Sequence, residues 1–202
     1  MQIFVINGGT SAFSRYEDFL EQLRTKPLII ERYKSSRDWK SRLSEALGAG
    51  YEVFSPGMPN KDNAQYKEWR IWFERFFPFM EDEIILIGHS LGGIFLAKYL
   101  SEEDFPKKIR ATFLVAPPFE SGGNSRWEKK SNEFALPNSL KKFEKQGGKI
   151  YIYHSKDDPS VPFADLARYQ QALPHAHATI FEDKKHINQE EFPELVNDIK
   201  SL

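Results

Sequence analysis

The chain contains no cysteine and carries almost no net charge. Without cysteine, disulfides and thiolate metal sites are excluded, and the composition fits a reducing compartment. The 28 basic residues are spread among 29 acidic ones, so we expect neither a nucleic-acid nor an anionic-membrane partner. No apolar run approaches the ~18 residues of a membrane span, and residues 1–6 are typical of a buried strand rather than a signal peptide. We therefore expect a cytoplasmic protein.

Short apolar runs alternate with longer segments of helical periodicity, which indicates an α/β fold with a mostly parallel sheet. A chain of 202 residues is most simply one domain over residues 1–202. Because the predicted strands are continuously apolar, we expect helices on both faces of the sheet. The strands are predicted at 2–6, 51–54, 84–87, 109–115, 150–153 and 178–181. The helices are predicted at 15–24, 37–47, 63–77, 91–100, 139–146, 164–173 and 190–199.

Two segments, 10–36 and 117–137, are longer than this alternation requires. Long excursions inside compact domains are often functional lids, although ordinary surface loops are an equal alternative. Phe119 and Trp127 lie in the second segment and are candidates to line an acyl pocket, with Thr10 as a further substrate-binding candidate.

The sequence Gly-His-Ser-Leu-Gly at residues 88–92 separates an apolar strand from a predicted helix. A sharp turn from strand to helix exposes the central Ser90, and glycine at either flank avoids a clash with neighbouring backbone. The motif alone arises by chance too readily to identify a nucleophile, because the chain has 12 glycines. Its position between strand and helix is what gives it weight.

A serine hydroxyl needs a base near neutral pKa and a group that orients the base. Asp157 and Asp158 follow the strand at 150–153, and His186 follows the strand at 178–181. Either carboxylate could orient the base. Serine, acid and histidine, each after a different strand, stand in the order of an α/β-hydrolase triad.

On these residues the chain resembles the α/β-hydrolases, and among them the compact serine hydrolases related to retinoblastoma-binding protein 9 and the YdeN group. The matching residues are those at 88–92, 155–162 and 186, and 191–195. The resemblance implies a three-layer α/β-hydrolase fold with a minimal lid. It implies Ser90 as nucleophile, His186 as base and Asp158 rather than Asp157 as the acid, because Asp158 begins the family's Asp-x-x-Val-Pro spacing.

The resemblance also implies a carboxylesterase-like activity without metal or organic cofactor. Backbone N–H groups of Leu91 and of Gly9 in the first glycine turn are the expected oxyanion donors. A small-molecule acyl substrate is expected, with short or exposed acyl groups favoured over long lipid chains. Thioesterase, peptidase and acyltransferase activities share the same constellation and stay open.

Rival functions have less support. The glycines after the first strand suggest a dinucleotide site, but the third glycine of that fingerprint is missing. A non-catalytic partner-binding protein on the same fold is a second alternative. His89, beside the serine, is expected to pack rather than act as a base, and the pair His175 and His177 is a weak metal signal.

Overall fold

The computed structural model describes residues 1–26, 37–120 and 132–202. Their strands are β1 (Gln2–Ile6), β2 (Glu52–Phe54), β3 (Glu83–His89), β4 (Lys108–Val115), β5 (Lys149–Ser155) and β6 (His177–Phe181). Their helices are α1 (Tyr16–Thr25), α2 (Trp39–Leu47), α3 (Tyr66–Glu74), α4 (Leu91–Glu102), α5 (Lys141–Gln146), α6 (Ala164–Ala172) and α7 (Pro193–Lys200), with a short 3-10 turn at Phe77–Phe79. The expected alternation of strand and helix is confirmed.

The strands form one sheet in the order β2-β1-β3-β4-β5-β6, and every pairing between them is parallel. Parallel neighbours need crossover connections, which here are the segments that carry the helices. Alternate strand residues face opposite sides of the sheet, and both sides are covered. On one side the sheet packs against α3, α4, α5 and α6, and on the other side it packs against α2 and α7.

Two predicted helices have bounds that are wrong by three residues. The helix expected over 63–77 begins only at Tyr66, because Ala64 bonds instead with the backbone of Thr10 and Ala12. It ends at Glu74, because Pro78 has no N–H to donate to the Glu74 carbonyl and the next N–H groups bond three residues back, Arg75 to Trp72 and Phe76 to Phe73. The helix expected over 190–199 begins at Pro193. Proline is suited to the first position of a helix, because an N–H at that position has no acceptor within the helix and proline has no N–H.

The order of the strands determines where a site can form. From β1 the chain moves to β2 at one edge and then to β3 on the other side of β1. Ligands of such sheets bind beyond the carboxyl ends of the strands at this reversal. In β1 and β3, Ile6 pairs with Gly88, so the turns that follow the two strands lie side by side.

Candidate active site

Ser90 occupies a strained turn between β3 and α4. Its φ is 55° and its ψ is −123°, a conformation that L-residues rarely adopt. The Ser90 N–H donates to the Val115 carbonyl at 2.8 Å, and the Ser90 carbonyl accepts from Gly93 at 2.8 Å. A Cβ at Gly92 would lie 2.0 Å from the Ile6 carbonyl oxygen, so the turn requires glycine there. The backbone therefore holds the serine at the carboxyl end of the sheet.

Asp158 and His186 form a hydrogen-bonded pair. His186 Nδ1 lies 2.8 Å and 3.1 Å from the two carboxylate oxygens of Asp158. A carboxylate accepts, so Nδ1 carries the proton, and in the neutral ring Nε2 keeps its lone pair. The Asp158 side chain has no exposed area, whereas that of His186 is 16% exposed. The pair thus leaves the Nε2 lone pair of His186 available.

The carboxylate of Asp158 stays ionised although it is buried. Burial raises its pKa, but the bonds from His186 and from the Val161 and Ser160 amides outweigh burial and hold the pKa below its usual value. The two amides donate to Asp158 Oδ1 at 3.0 Å and 2.8 Å. A negative charge beside His186 stabilises the imidazolium that would form during proton transfer.

The neighbouring Asp157 has different partners. Its Oδ1 accepts from the Ser155 hydroxyl at 2.6 Å and from the Lys185 N–H at 2.8 Å. These bonds connect the end of β5 to the loop that carries His186. Of the two carboxylates left open by the residues alone, Asp158 is the one that contacts the imidazole.

Ser90 and His186 line a common cleft with two lobes. Gly9, Thr10, Ser90 and His186 border both lobes. The larger lobe, about 1280 Å³, also contains Asn7, Tyr16, Phe19, Lys40, Met58 and Asn188. The smaller lobe, about 250 Å³, also contains Leu91, Pro118, Glu120, Ser160 and Val161. No hydrogen bond joins Ser90 to the His186 ring among the described residues, and such bonds often form only with substrate bound.

The turn after β1 lies against the serine. A Cβ at Gly8 would be 2.8 Å from Ser90 Cβ and 3.3 Å from Ser90 Oγ. The Thr10 N–H donates to the Lys61 carbonyl at 2.7 Å and is not available to a substrate. Within the described part of the chain, the N–H groups of Gly9 and Leu91 have no acceptor. Both expected oxyanion donors are therefore free beside the cleft.

The two aromatic candidates have different outcomes. Phe119 lines neither lobe: its ring packs 4.9 Å from Tyr169, and the Arg168 guanidinium lies 4.4 Å from its centroid. Its neighbours Pro118 and Glu120 reach the smaller lobe instead. Trp127 lies outside the described residues.

The remaining histidines include His175 and His177, and no group of three or more metal-ligating side chains that could hold an ion occurs in the described ranges. His89 is buried, and its Nε2 donates to the His186 carbonyl at 2.9 Å. Burial and the nearby Lys40 lower its pKa well below the usual value, so it stays neutral.

No helix in the described ranges has the length and apolar character needed to cross a bilayer.

Sequence reasoning missed Trp39 in α2. Its indole N–H donates to the Ile187 carbonyl at 2.8 Å, across 148 residues of sequence. Lys40, the next residue, donates to Asn188 Oδ1 at 3.1 Å. No local pattern signals these bonds, because a tryptophan at the start of an amphipathic helix is expected to be core.

A parallel sheet with helices on both faces, a serine in a strained turn after a central strand and a hydrogen-bonded Asp-His pair define the fold as that of an α/β-hydrolase. The serine hydrolase family model matches residues 27–195, and the chain belongs to this family of hydrolases.

Individual relatives agree with this assignment. The serine hydrolase RBBP9 of Rattus norvegicus is 28% identical over 159 residues, covering 76% of this chain and 78% of the rat protein. The solved structure of the ydeN gene product from B. subtilis is similar with a TM-score of 0.71 and 15% identity, covering 99% of this chain and 97% of the other. A YdeN-like hydrolase from Pectobacterium atrosepticum has a TM-score of 0.62 and 14% identity, covering 99% and 90%. At these identities the two structures show a shared fold.

Proposed function

We propose that the protein hydrolyses a small carboxylic ester, or a related thioester or amide, through an acyl-enzyme on Ser90. The observation that carries the proposal is the Asp158 to His186 bond of 2.8 Å beside a serine held at a φ of 55° on the same cleft. Asp158 fixes the Nδ1–H tautomer, so the basic Nε2 is the nitrogen left to accept the serine proton.

In this mechanism His186 Nε2 takes the proton of Ser90 Oγ as Oγ attacks the acyl carbonyl carbon. The carbonyl π electrons move to oxygen and form a tetrahedral oxyanion. When the C–O bond to the leaving group breaks, the imidazolium returns the proton to that group. Water then attacks the acyl-enzyme while His186 Nε2 accepts the water proton. The acyl C–Oγ bond breaks, the imidazolium returns the proton to Ser90 Oγ, and the carboxylic acid is released.

The oxyanion is proposed to bind the N–H groups of Leu91 and Gly9. Leu91 is the first residue of α4, where an N–H has no acceptor within the helix and the helix dipole favours negative charge. One such donor typically lowers the barrier by about 3 kcal/mol. Both residues border the smaller lobe together with Ser90.

The proposed substrate is a small acyl compound, and no cofactor is assigned to the reaction. The larger lobe mixes apolar side chains such as Tyr16 and Met58 with charged and amide groups such as Lys40 and Asn188. A wall of this kind suits a short or polar substrate better than a long alkyl chain. A cytoplasmic location is proposed from composition alone.

Fluorophosphonate labelling tests the proposal, since this reagent modifies an activated serine. Wild type should be labelled, whereas Ser90→Ala and His186→Ala should not. Ser101→Ala is the matched control, because Ser101 lies on α4 as well and its hydroxyl donates to the Ala97 carbonyl in the same helix. An unlabelled wild type, or undiminished labelling of Ser90→Ala, contradicts the proposal.

The acyl preference is tested with p-nitrophenyl esters of increasing chain length. We expect kcat/KM to be highest for acetate or butyrate and to fall for laurate and palmitate. Equal or better turnover of the long-chain esters would refute the proposed preference without affecting the assignment of Ser90.

A further inference from the structure

His186 lies between two residues with left-handed backbone. Lys185 has a φ of 48° and Ile187 a φ of 50°. Positive φ is uncommon outside glycine, and for a β-branched residue such as Ile187 it is a genuine outlier. Such residues persist only where surrounding contacts hold them, and they cluster at active sites. The contacts that hold these two residues therefore determine where the imidazole lies.

Asp157 holds the first of them. Its Oδ1 accepts from the Lys185 N–H at 2.8 Å and from the Ser155 hydroxyl at 2.6 Å. The Ser155 oxygen in turn accepts from the Lys184 N–H at 2.9 Å. The end of β5 thus fixes the backbone immediately before His186, through a carboxylate that does not touch the imidazole.

Trp39 holds the second. The indole N–H donates to the Ile187 carbonyl at 2.8 Å, and the Trp39 backbone N–H donates to the Gln189 carbonyl at 2.8 Å. The side chain is 2% exposed and packs against Phe192, with ring centroids 5.5 Å apart. A buried, packed indole on a helix is a rigid anchor for the backbone immediately after His186.

We infer that Asp157 and Trp39 are positioning residues for His186, each holding one of the two left-handed residues that flank it. The inference depends on the proposed role of His186 as the base. Neither residue borders the cleft, so neither is placed to contact substrate. Loss of either bond allows its flanking residue to relax toward commoner backbone angles, which turns the imidazole away from Asp158 and Ser90.

Four variants test the inference by steady-state hydrolysis of p-nitrophenyl acetate. A displacement of about 1 Å in a catalytic group costs up to about 100-fold in rate, so we expect Asp157→Ala and Trp39→Phe to lower kcat by about 10- to 100-fold. KM should change less than about threefold, because the cleft wall is unchanged. Asp157→Asn should stay within about threefold of wild type, since its amide oxygen can accept the same two bonds. Asp158→Asn should lose activity by about 10⁴-fold, as for the acid of a Ser-His-Asp triad.

Thr112→Val is the control for a general loss of stability. The Thr112 hydroxyl is buried and donates to the Gly147 carbonyl at 2.7 Å, before the start of β5 and away from the cleft. This variant, like Trp39→Phe, leaves a buried carbonyl without its donor. We expect it to lower the melting temperature while kcat stays within about twofold of wild type.

The outcomes separate this inference from the proposed function. Labelling of wild type but not of Ser90→Ala by fluorophosphonate tests the function by itself. With that result in hand, unchanged kcat in both Asp157→Ala and Trp39→Phe overturns the inference. An inactive Asp157→Asn would also overturn it, because the charge of Asp157 rather than its acceptor oxygen would then be essential. A fall of kcat in Thr112→Val equal to that in Trp39→Phe would overturn it as well. If Trp39→Phe does not fold, the comparison of Asp157→Ala with Asp157→Asn decides the question, because Asp157 is exposed.

Discussion

Replacing Gly8 with alanine places a methyl group directly against the serine proposed as nucleophile. The new Cβ would lie 2.8 Å from Ser90 Cβ and 3.2 Å from the His89 carbonyl oxygen. Non-bonded carbons settle at about 3.5 Å, so Ser90 or the turn after β1 must move by roughly 0.7 Å. Gly8 does not have a positive φ, so its backbone accepts alanine and the clash is the whole perturbation.

The clash should affect both catalysis and folding. A shift of this size predicts a fall in kcat/KM of about 10- to 100-fold, or about 1.4–2.7 kcal/mol in the barrier. Overpacking costs about 1–3 kcal/mol of stability, and the reduced freedom of the unfolded chain offsets about 0.4–1 kcal/mol. The net loss of unfolding free energy is then at most about 2.6 kcal/mol.

The assay combines p-nitrophenyl acetate hydrolysis, the rate of fluorophosphonate labelling and urea unfolding. Gly57→Ala is the matched control, because Gly57 also lines the larger lobe but a Cβ there meets no atom within 4 Å, and Gly57 does not have a positive φ. We expect this control to change the rate by less than about threefold. If Gly8→Ala has the same kcat/KM and stability as wild type, the reasoning is refuted, because the turn would then have accommodated the methyl group without moving the serine.

Two further predictions concern the same region. Gly92→Ala should destabilise the fold by more than about 3 kcal/mol in urea unfolding, because its Cβ would lie 2.0 Å from the Ile6 carbonyl oxygen; an unchanged midpoint would contradict this. The pKa of Asp158 is lower in the folded state than in the unfolded state, where it is near 3.8. The ionised carboxylate therefore stabilises the fold at pH values above the unfolded-state pKa, and this contribution is lost as the pH falls through the folded-state pKa. The stability difference between wild type and Asp158→Asn should therefore shrink below about pH 4, and a constant difference from pH 7 to 2.5 would argue against it.

Much of the fold follows from local pattern. Short, mostly apolar runs predict all six strands of the sheet, because strands covered on both faces need few polar side chains. The prediction at 84–87 is extended by the structure to Glu83–His89, since pairing with two neighbours recruits flanking residues that are not apolar. Helix ends were less predictable: the start of α3 depends on backbone bonds from Ala64 to the distant turn at Thr10 and Ala12.

The site likewise combines residues that the sequence predicts with residues whose contacts depend on the fold. The glycine-flanked Ser90 could be recognised from its sequence, because a strand-to-helix turn of this kind excludes side chains at its flanks. The choice between two adjacent carboxylates rested on family spacing, and the structure places Asp158 against the imidazole and Asp157 against the backbone of Lys185. Phe119, a candidate by position, packs under Arg168 instead.

A serine, a carboxylate and a histidine that each follow a different strand of a parallel sheet can be predicted from local properties, because apolar periodicity and glycine placement need no tertiary information. How the histidine is held depends on tertiary contacts. Trp39 reaches Ile187 across 148 residues, and a contact of that separation depends on which helix covers which face of the sheet. The strained backbone around His186 likewise exists only because folded neighbours stabilise it.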